Sequence, residues 1–206
     1  MNKTSIDWPN LTHTWNPVMG CGRIPPCSYC YAKRMNDRFK WILNWNDPQY
    51  FPKRLNEPEK VKKPSTVFVG SMSEIHFWEP EWTAAVIDVC RRTPRHTYMF
   101  LTKTPEAYYN YDFPENCMLG MTLTCDMEDQ TERIWAHRAN RKNKLFLSIE
   151  PLLGELVFCP DEAELVIVGA MTGVRAVKPK KRWIDSIKWL MPGDKIYWKN
   201  NIREYL

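Results

Sequence analysis

The sequence predicts an α/β fold built on a parallel sheet, and three observations carry that prediction. Short runs rich in Val, Ile, Phe and Tyr alternate along the chain with segments whose apolar residues recur at helical spacing. Two of the runs, 67–69 and 166–168, are apolar without alternation, as in strands covered on both faces by crossover helices. Polar residues follow each run directly, where parallel α/β sheets place their ligand sites. Periodicity alone leaves an open doubly wound sheet and a complete or partial barrel as alternatives.

Taken in order, the predicted strands are 12–18, 66–69, 97–101, 118–123, 145–149, 165–168 and 196–198. Helices are predicted over 31–41, directly after a group of cysteines, and over 80–92, which opens on a proline at a permitted first-turn position. Two more, over 127–141 and 181–190, follow from spaced apolar residues. The residues just past the strands are then 21–30, Gly70 to Glu74, Thr102 and Lys103, Thr122 and Thr124, Glu150, Gly169 to Gly173, and Lys199. With no internal repeat and no low-complexity linker, residues 1–206 read as a single compact domain.

A chain of 206 residues, 44% hydrophobic and 26% charged, buries a core large enough to fold without disulfides, and is not a disordered composition. Its first residues lack a basic stretch leading into an apolar one, and no later segment approaches the roughly 18 apolar residues of a membrane span. A cytoplasmic protein with no membrane partner is expected. Seven cysteines are an odd number, and three of them crowd into ten residues. In a reducing compartment that pattern points to metal binding over disulfides. The net charge is +5, with basic clusters at Lys53, Arg54, Lys60, Lys62 and Lys63 and at Arg175, Lys178, Lys180, Lys181 and Arg182. Such clusters are either solvated faces or phosphate-attracting surfaces. Ten tryptophans and nine tyrosines add side chains that stack on bases.

The cysteines are spaced Cys21-x5-Cys27-x2-Cys30, with Gly20 and Gly22 permitting tight turns and Pro25-Pro26 stiffening the approach to the second thiol. Spacing by itself leaves zinc and an iron–sulfur cluster level, with His13 as a possible fourth zinc ligand. A structural zinc site is normally closed by four protein ligands. A cubane held by three cysteines leaves one iron open to substrate.

At this point the chain resembles the radical S-adenosylmethionine enzymes, whose cluster loop also follows a first strand and ends in an aromatic-Cys-Tyr step such as Tyr29-Cys30-Tyr31. Their usual loop is Cys-x3-Cys-x2-Cys, two residues shorter than this one. The more specific resemblance is to an uncharacterised, phage-associated three-cysteine-motif family distantly similar to spore photoproduct lyase. It is carried by residues 15–32, 69–73, 101–103, 147–154, 166–169 and 197–199. That resemblance implies a partial (β/α)6-type barrel in which Cys21, Cys27 and Cys30 hold a 4Fe-4S cluster. The cluster's open iron would bind S-adenosylmethionine and generate a deoxyadenosyl radical. It further implies that Ser71, Ser73 and Glu74 contact the cofactor's amino group, that Lys103 faces its carboxylate, and that Ser148 and Glu150 reach its ribose or methionine part. A flavodoxin or ferredoxin would donate the electron.

The resemblance has departures. Met72 stands where spore photoproduct lyase has its hydrogen-donating cysteine, and a thioether has no such hydrogen to give, so dimer reversal by that route is not expected. Gly169-Ala170-Met171-Thr172-Gly173 lacks the carboxylate of the Gly-Gly-Glu-Ser-Gly segment that the family often carries there. No role is assigned to Cys90, Cys117, Cys125 or Cys159. The expected activity is radical chemistry on a nucleic acid or nucleotide. The rival is a zinc- or cluster-braced nucleic-acid-binding module without catalysis.

Overall fold

A computed structural model describes residues 1–158, 162–173 and 175–206. The architecture is mixed α/β with mostly parallel strand pairing, in two compact units. One unit comprises residues 1–6, 10–102 and 110–118, the other residues 7–9, 103–109 and 119–206.

In the first unit a short strand β1 (Asn2–Lys3) runs antiparallel along β2 (Leu11–Trp15). The predicted strand over 12–18 is divided. β2 ends at Trp15, and β3 (Val18–Met19) turns away to pair antiparallel with β4 (Gln49–Tyr50). The break falls at Asn16-Pro17 because proline has no N–H to give a parallel ladder. The carbonyls of both residues are taken instead by Arg54 Nη1 at 2.9 Å and Phe51 N at 2.7 Å.

Helix α1 (Tyr31–Phe39) follows, two residues shorter than expected, and stops where Lys40 adopts a left-handed conformation. Helix α2 (Glu57–Lys60) is one turn long and left no periodic signal. β5 (Thr66–Val69) pairs parallel with β2 and with β6 (Thr97–Thr102). Between them α3 (Pro80–Arg92) buries Thr83, Val86, Ile87 and Cys90 along one stripe, the i, i+3, i+4, i+7 pattern that the sequence shows. Trp15 is fully buried, and its indole N–H donates to the Arg54 carbonyl at 2.8 Å. The Tyr98 hydroxyl lies 2.6 Å from that of Thr93 at the end of α3.

In the second unit β7 (Cys117–Thr122), which starts in the first, leads to α4 (Gln130–Arg138), β8 (Lys144–Ile149), β9 (Ala163–Val168), α5 (Lys181–Leu190) and β10 (Ile196–Trp198). β8, β9 and β10 pair in parallel. Leu147, Val166, Val168, Ile184 and Ile187 share one buried cluster, so α5 covers the sheet with the face predicted for it. Close packing is written into Gly154, where a Cβ would come within 1.8 Å of the Cys125 carbonyl oxygen. No helix among the described residues is long and apolar enough to cross a membrane.

Candidate functional site

The chain leaving β3 enters the cysteine loop with both ends fastened. Gly20, at φ +102°, donates its N–H to the Met72 carbonyl at 2.9 Å, and Cys21 donates to the Trp45 carbonyl at 2.8 Å. A side chain at Gly20 would sit 3.0 Å from the Trp45 carbonyl in a backbone conformation that L residues rarely adopt. At the far end Cys30 N donates to the Cys27 carbonyl at 3.0 Å, and Cys30 is the N-cap of α1, its sulfur accepting the Lys33 N–H at 3.4 Å. Cys21 and Cys30 pack against buried Met19, Ala32, Ile42, Trp45 and Met72.

Cys21, Cys27 and Cys30 are all half-buried thiols, whereas Cys90, Cys117 and Cys125 are fully buried ones. The Cys90 thiol is pushed well up, first by burial and then by Cys117 beside it, and burial pushes Cys125 up to about 12. These three are packing residues. Cys159 lies outside the described residues. Among the described residues no three His, Cys, Asp or Glu side chains are drawn together as a metal-ligating group. What the cysteine loop offers is a donor set: three reachable thiols on one short, anchored segment, the ligand type that soft metals and iron–sulfur clusters take. His13, the possible fourth ligand of a zinc site, lies within β2 with its Nδ1 2.9 Å from the Thr12 hydroxyl.

Next to this loop the carboxyl ends of β2 and β5 are joined by one amide. Asn16 Oδ1 accepts from Ser71 Oγ and from Met72 N, each at 3.1 Å. Tyr31, the residue after Cys30, donates its hydroxyl to the Ser71 carbonyl at 2.5 Å. Asn16, Ser71, Met72 and Tyr31 border a cavity of about 600 Å³ that Met19, Met35 and Trp41 also line. That volume lies in the range of small-molecule sites, and the lining is mixed, with Thr4, Ser5, Thr14, Arg54 and Glu57 adding polar and charged groups to the thioether and aromatic walls.

The sequence-predicted residues fall out unequally. Ser71 is buried at this cavity. Ser73 is spent inside the turn, accepting from Trp78 Nε1 at 3.1 Å and donating to the Gly70 carbonyl. Glu74 is buried and accepts a short hydrogen bond from the Thr102 hydroxyl. In the second unit the half-buried Lys103 offers its carbonyl to Arg133, and Ser148 is buried with its carbonyl accepting Leu123 N at 3.0 Å. Glu150 is ion-paired with Lys199 and accepts from Trp8 Nε1 at 3.4 Å.

Lys199 and Glu150 also wall in Gly169, where a Cβ would meet both within 3.2 Å. Asp7 completes this group, accepting from Tyr197 Oη and from Asn200 N at 2.6 Å each. Burial would raise the Asp7 carboxyl, but those two donors and the charge of Lys199 hold it below its usual value. Hydrogen bonding to Asp7 raises Tyr197 in turn. Asp7 and Trp8 belong to no motif, and Tyr197, though inside the segment 197–199, carries no role that its sequence position assigns, so only the fold brings the three together.

The basic clusters resolve unevenly as well. Arg54 is an internal clamp, bonded to Asn16 and lying 4.2 Å above the Phe51 ring, while Lys53, Lys60, Lys62 and Lys63 are exposed. In the second cluster Lys181 and Arg182 are ion-paired with Asp185 and Glu155. Arg175, Lys178 and Lys180 are exposed.

A family model described as protein of unknown function (DUF5131) matches residues 3–196. No curated protein and no solved structure matches the chain.

Proposed function

We propose that this chain, which belongs to the DUF5131 family spanning almost all of it, is a radical S-adenosylmethionine enzyme acting in the cytoplasm on a nucleic acid or nucleotide. The fold proposed is a partial (β/α)6-type barrel. The observation that carries the reading is the adjacency of three half-buried thiols on one anchored loop to a cavity of about 600 Å³ at the carboxyl ends of two parallel strands.

Cys21, Cys27 and Cys30 would hold a 4Fe-4S cluster, which when bound supplies the electron and the open iron for cleaving S-adenosylmethionine to a deoxyadenosyl radical. The protein's part is orientation and exclusion of water. Asn16 fixes the turn that carries Ser71, and Tyr31 ties the same turn to α1, so the polar edge of the cavity is held rigid. Buried Glu74, kept in place by Thr102, is the carboxylate of this unit suited to an ammonium group. Ser73 holds the turn and is a positioning residue. Lys199 already neutralises Glu150, so that side chain serves a polar contact and not a free charge. Lys103 and Ser148 remain part of the proposed cofactor set, and a flavodoxin or ferredoxin is the proposed electron donor.

Purification without oxygen should give a brown protein with about four irons. Dithionite and S-adenosylmethionine should then yield deoxyadenosine, and Cys30→Ala should abolish both colour and product. A colourless protein with stoichiometric zinc, or undiminished deoxyadenosine from Cys30→Ala, refutes the assignment and favours a zinc-braced binding module.

A further inference from the structure

The helix that follows the cysteine loop presents to solvent a face that its own fold does not need. Tyr31, Met35 and Phe39 are spaced i, i+4, i+8, so they form one stripe along α1. They are 43%, 39% and 50% exposed, although they are the large apolar residues of the helix. The helix buries Ala32 and Asn36 instead. Asn36 serves the fold, closing its amide on the backbone of Ile42 in both directions at 3.0 Å.

Past the helix the stripe continues. Trp41, 47% exposed, stacks on Phe39 with ring centroids 5.2 Å apart and planes 17° from parallel. The Arg38 guanidinium lies 5.1 Å from the Phe39 centroid. The stripe also reaches the cavity beside the cysteine loop, since Tyr31, Met35 and Trp41 line it and Phe39 stacks on Trp41.

Charge decides what this face suits. Asp37, the one carboxylate of α1, is matched by Lys33 at 2.7 Å. Among the described residues Arg34, Arg38 and Lys40 have no carboxylate partner, and all three are exposed. A row of flat π surfaces edged by unmatched cations fits a polyanion that carries its own flat rings. Single-stranded nucleic acid is bound in this way, by cations tracking phosphates and aromatics stacking on successive bases. An acidic protein would meet the cations equally well, but successive bases offer a flat face to each ring of a stacked pair and a phosphate to each cation. A duplex hides its base faces.

We propose that the α1 face formed by Arg34, Arg38, Phe39, Lys40 and Trp41 binds single-stranded nucleic acid and leads it to the cavity bordered by Tyr31 and Met35. The proposal rests on the functional reading above only for what happens inside the cavity; binding itself needs neither cluster nor S-adenosylmethionine.

The test is fluorescence anisotropy of a labelled oligothymidine with the purified full chain, across a salt series, against the same strand annealed to its complement. The single strand should bind more tightly than the duplex. Phe39→Ala should weaken it about five- to 150-fold, the effect of losing one stacked base, and Phe39→Trp should restore it. Arg34→Ala and Arg38→Ala should each flatten the logarithmic salt dependence by about 0.7. An unchanged circular dichroism spectrum will show that the Phe39 variant is folded, as half exposure of that ring implies.

Absence of strand binding overturns the proposal, as does binding indifferent to Phe39→Ala. A flavodoxin or ferredoxin whose binding is lost in these same variants, with no strand binding, assigns the face to a redox partner and overturns it too. A protein that binds the strand through Phe39 but contains zinc, and makes no deoxyadenosine, refutes the enzyme reading and leaves this surface standing.

Discussion

Lowering the pH should destabilise the second unit through one residue, His137. It is the penultimate residue of α4 and fully buried, with its Nε2 3.0 Å from the carbonyl oxygen of Leu119 in β7. That bond requires a proton on Nε2, and the buried Nδ1 has no hydrogen-bond partner. A second proton would therefore be placed on a buried nitrogen with no acceptor for it. Burial accordingly pushes the folded imidazole from 6.5 down to about 4, against a smaller opposing effect of the Leu119 carbonyl.

Because the folded value is the lower one, the unfolded chain takes up the proton first. The contribution is intact above 6.5 and is lost progressively as pH falls towards 4. One pKa unit is about 1.4 kcal/mol, so the full loss approaches about 3 kcal/mol, and about 2 kcal/mol of it falls between pH 7 and pH 5. That is a sizeable part of the roughly 5–15 kcal/mol that holds a domain folded. His13 and His96 are also shifted down, in each case first by burial, so only a difference isolates His137.

The assay is urea unfolding at pH 7 and pH 5 for the native chain and for His137→Gln, whose amide keeps a donor for Leu119 but cannot titrate. The native chain should lose about 2 kcal/mol more than the variant. Equal losses in the two proteins would show that His137 accepts its proton without penalty and would sink the argument.

Three further outcomes follow from the geometry taken together with the proposed function. Asn16→Ala deprives the Ser71 hydroxyl and the Met72 N–H of their acceptor, and cavity water will replace part of it, so a stability loss of about 1–3 kcal/mol is expected together with weaker S-adenosylmethionine binding by calorimetry. Cys90→Ala, unlike Cys30→Ala, should retain full iron content on reconstitution while lowering the unfolding midpoint slightly, and loss of iron would show that the fully buried thiols participate. Gly154→Ala drives a methyl into the Cys125 carbonyl, so soluble yield or stability should fall by more than about 3 kcal/mol; a native-like melting temperature would show that this turn yields easily.

Elements with an unbroken apolar run or a helical stripe were legible because their residues repeat their environment. The stretches 66–69, 80–92, 181–190 and 196–198 are strands and helices to the residue, since apolar runs and helical stripes record a buried face directly. The short elements β1, β4 and α2 have neither an apolar run nor enough side chains for a period, so nothing in their own residues marks them. The division of 12–18 was signalled by Pro17, but the residues that absorb the freed carbonyls, Arg54 and Phe51, lie some 35 positions away.

The candidate site divides on the same line. The cysteine loop is a local spacing, and Ser71 and Glu74 sit where the strand end predicts. The tasks of Ser73 and Glu150 are fixed by Trp78, Lys199 and Trp8, and that a serine holds a turn or a glutamate is neutralised depends on contacts that no sequence spacing records. Asp7 is the extreme case, a carboxylate at one end of the chain held by Tyr197 and Asn200 at the other.

The Asn16 amide sets a limit on how this protein can be edited. One side chain serves two consecutive residues of the turn after β5 while its own backbone directly follows β2, so the two strand ends form a single part. An insertion in either turn would shift one end against the other and disconnect both. Enlarging the cavity for a bulkier ligand therefore has to proceed through the walls that carry no such tie, Met35 and Trp41 among them, with the polar edge kept as one inherited piece.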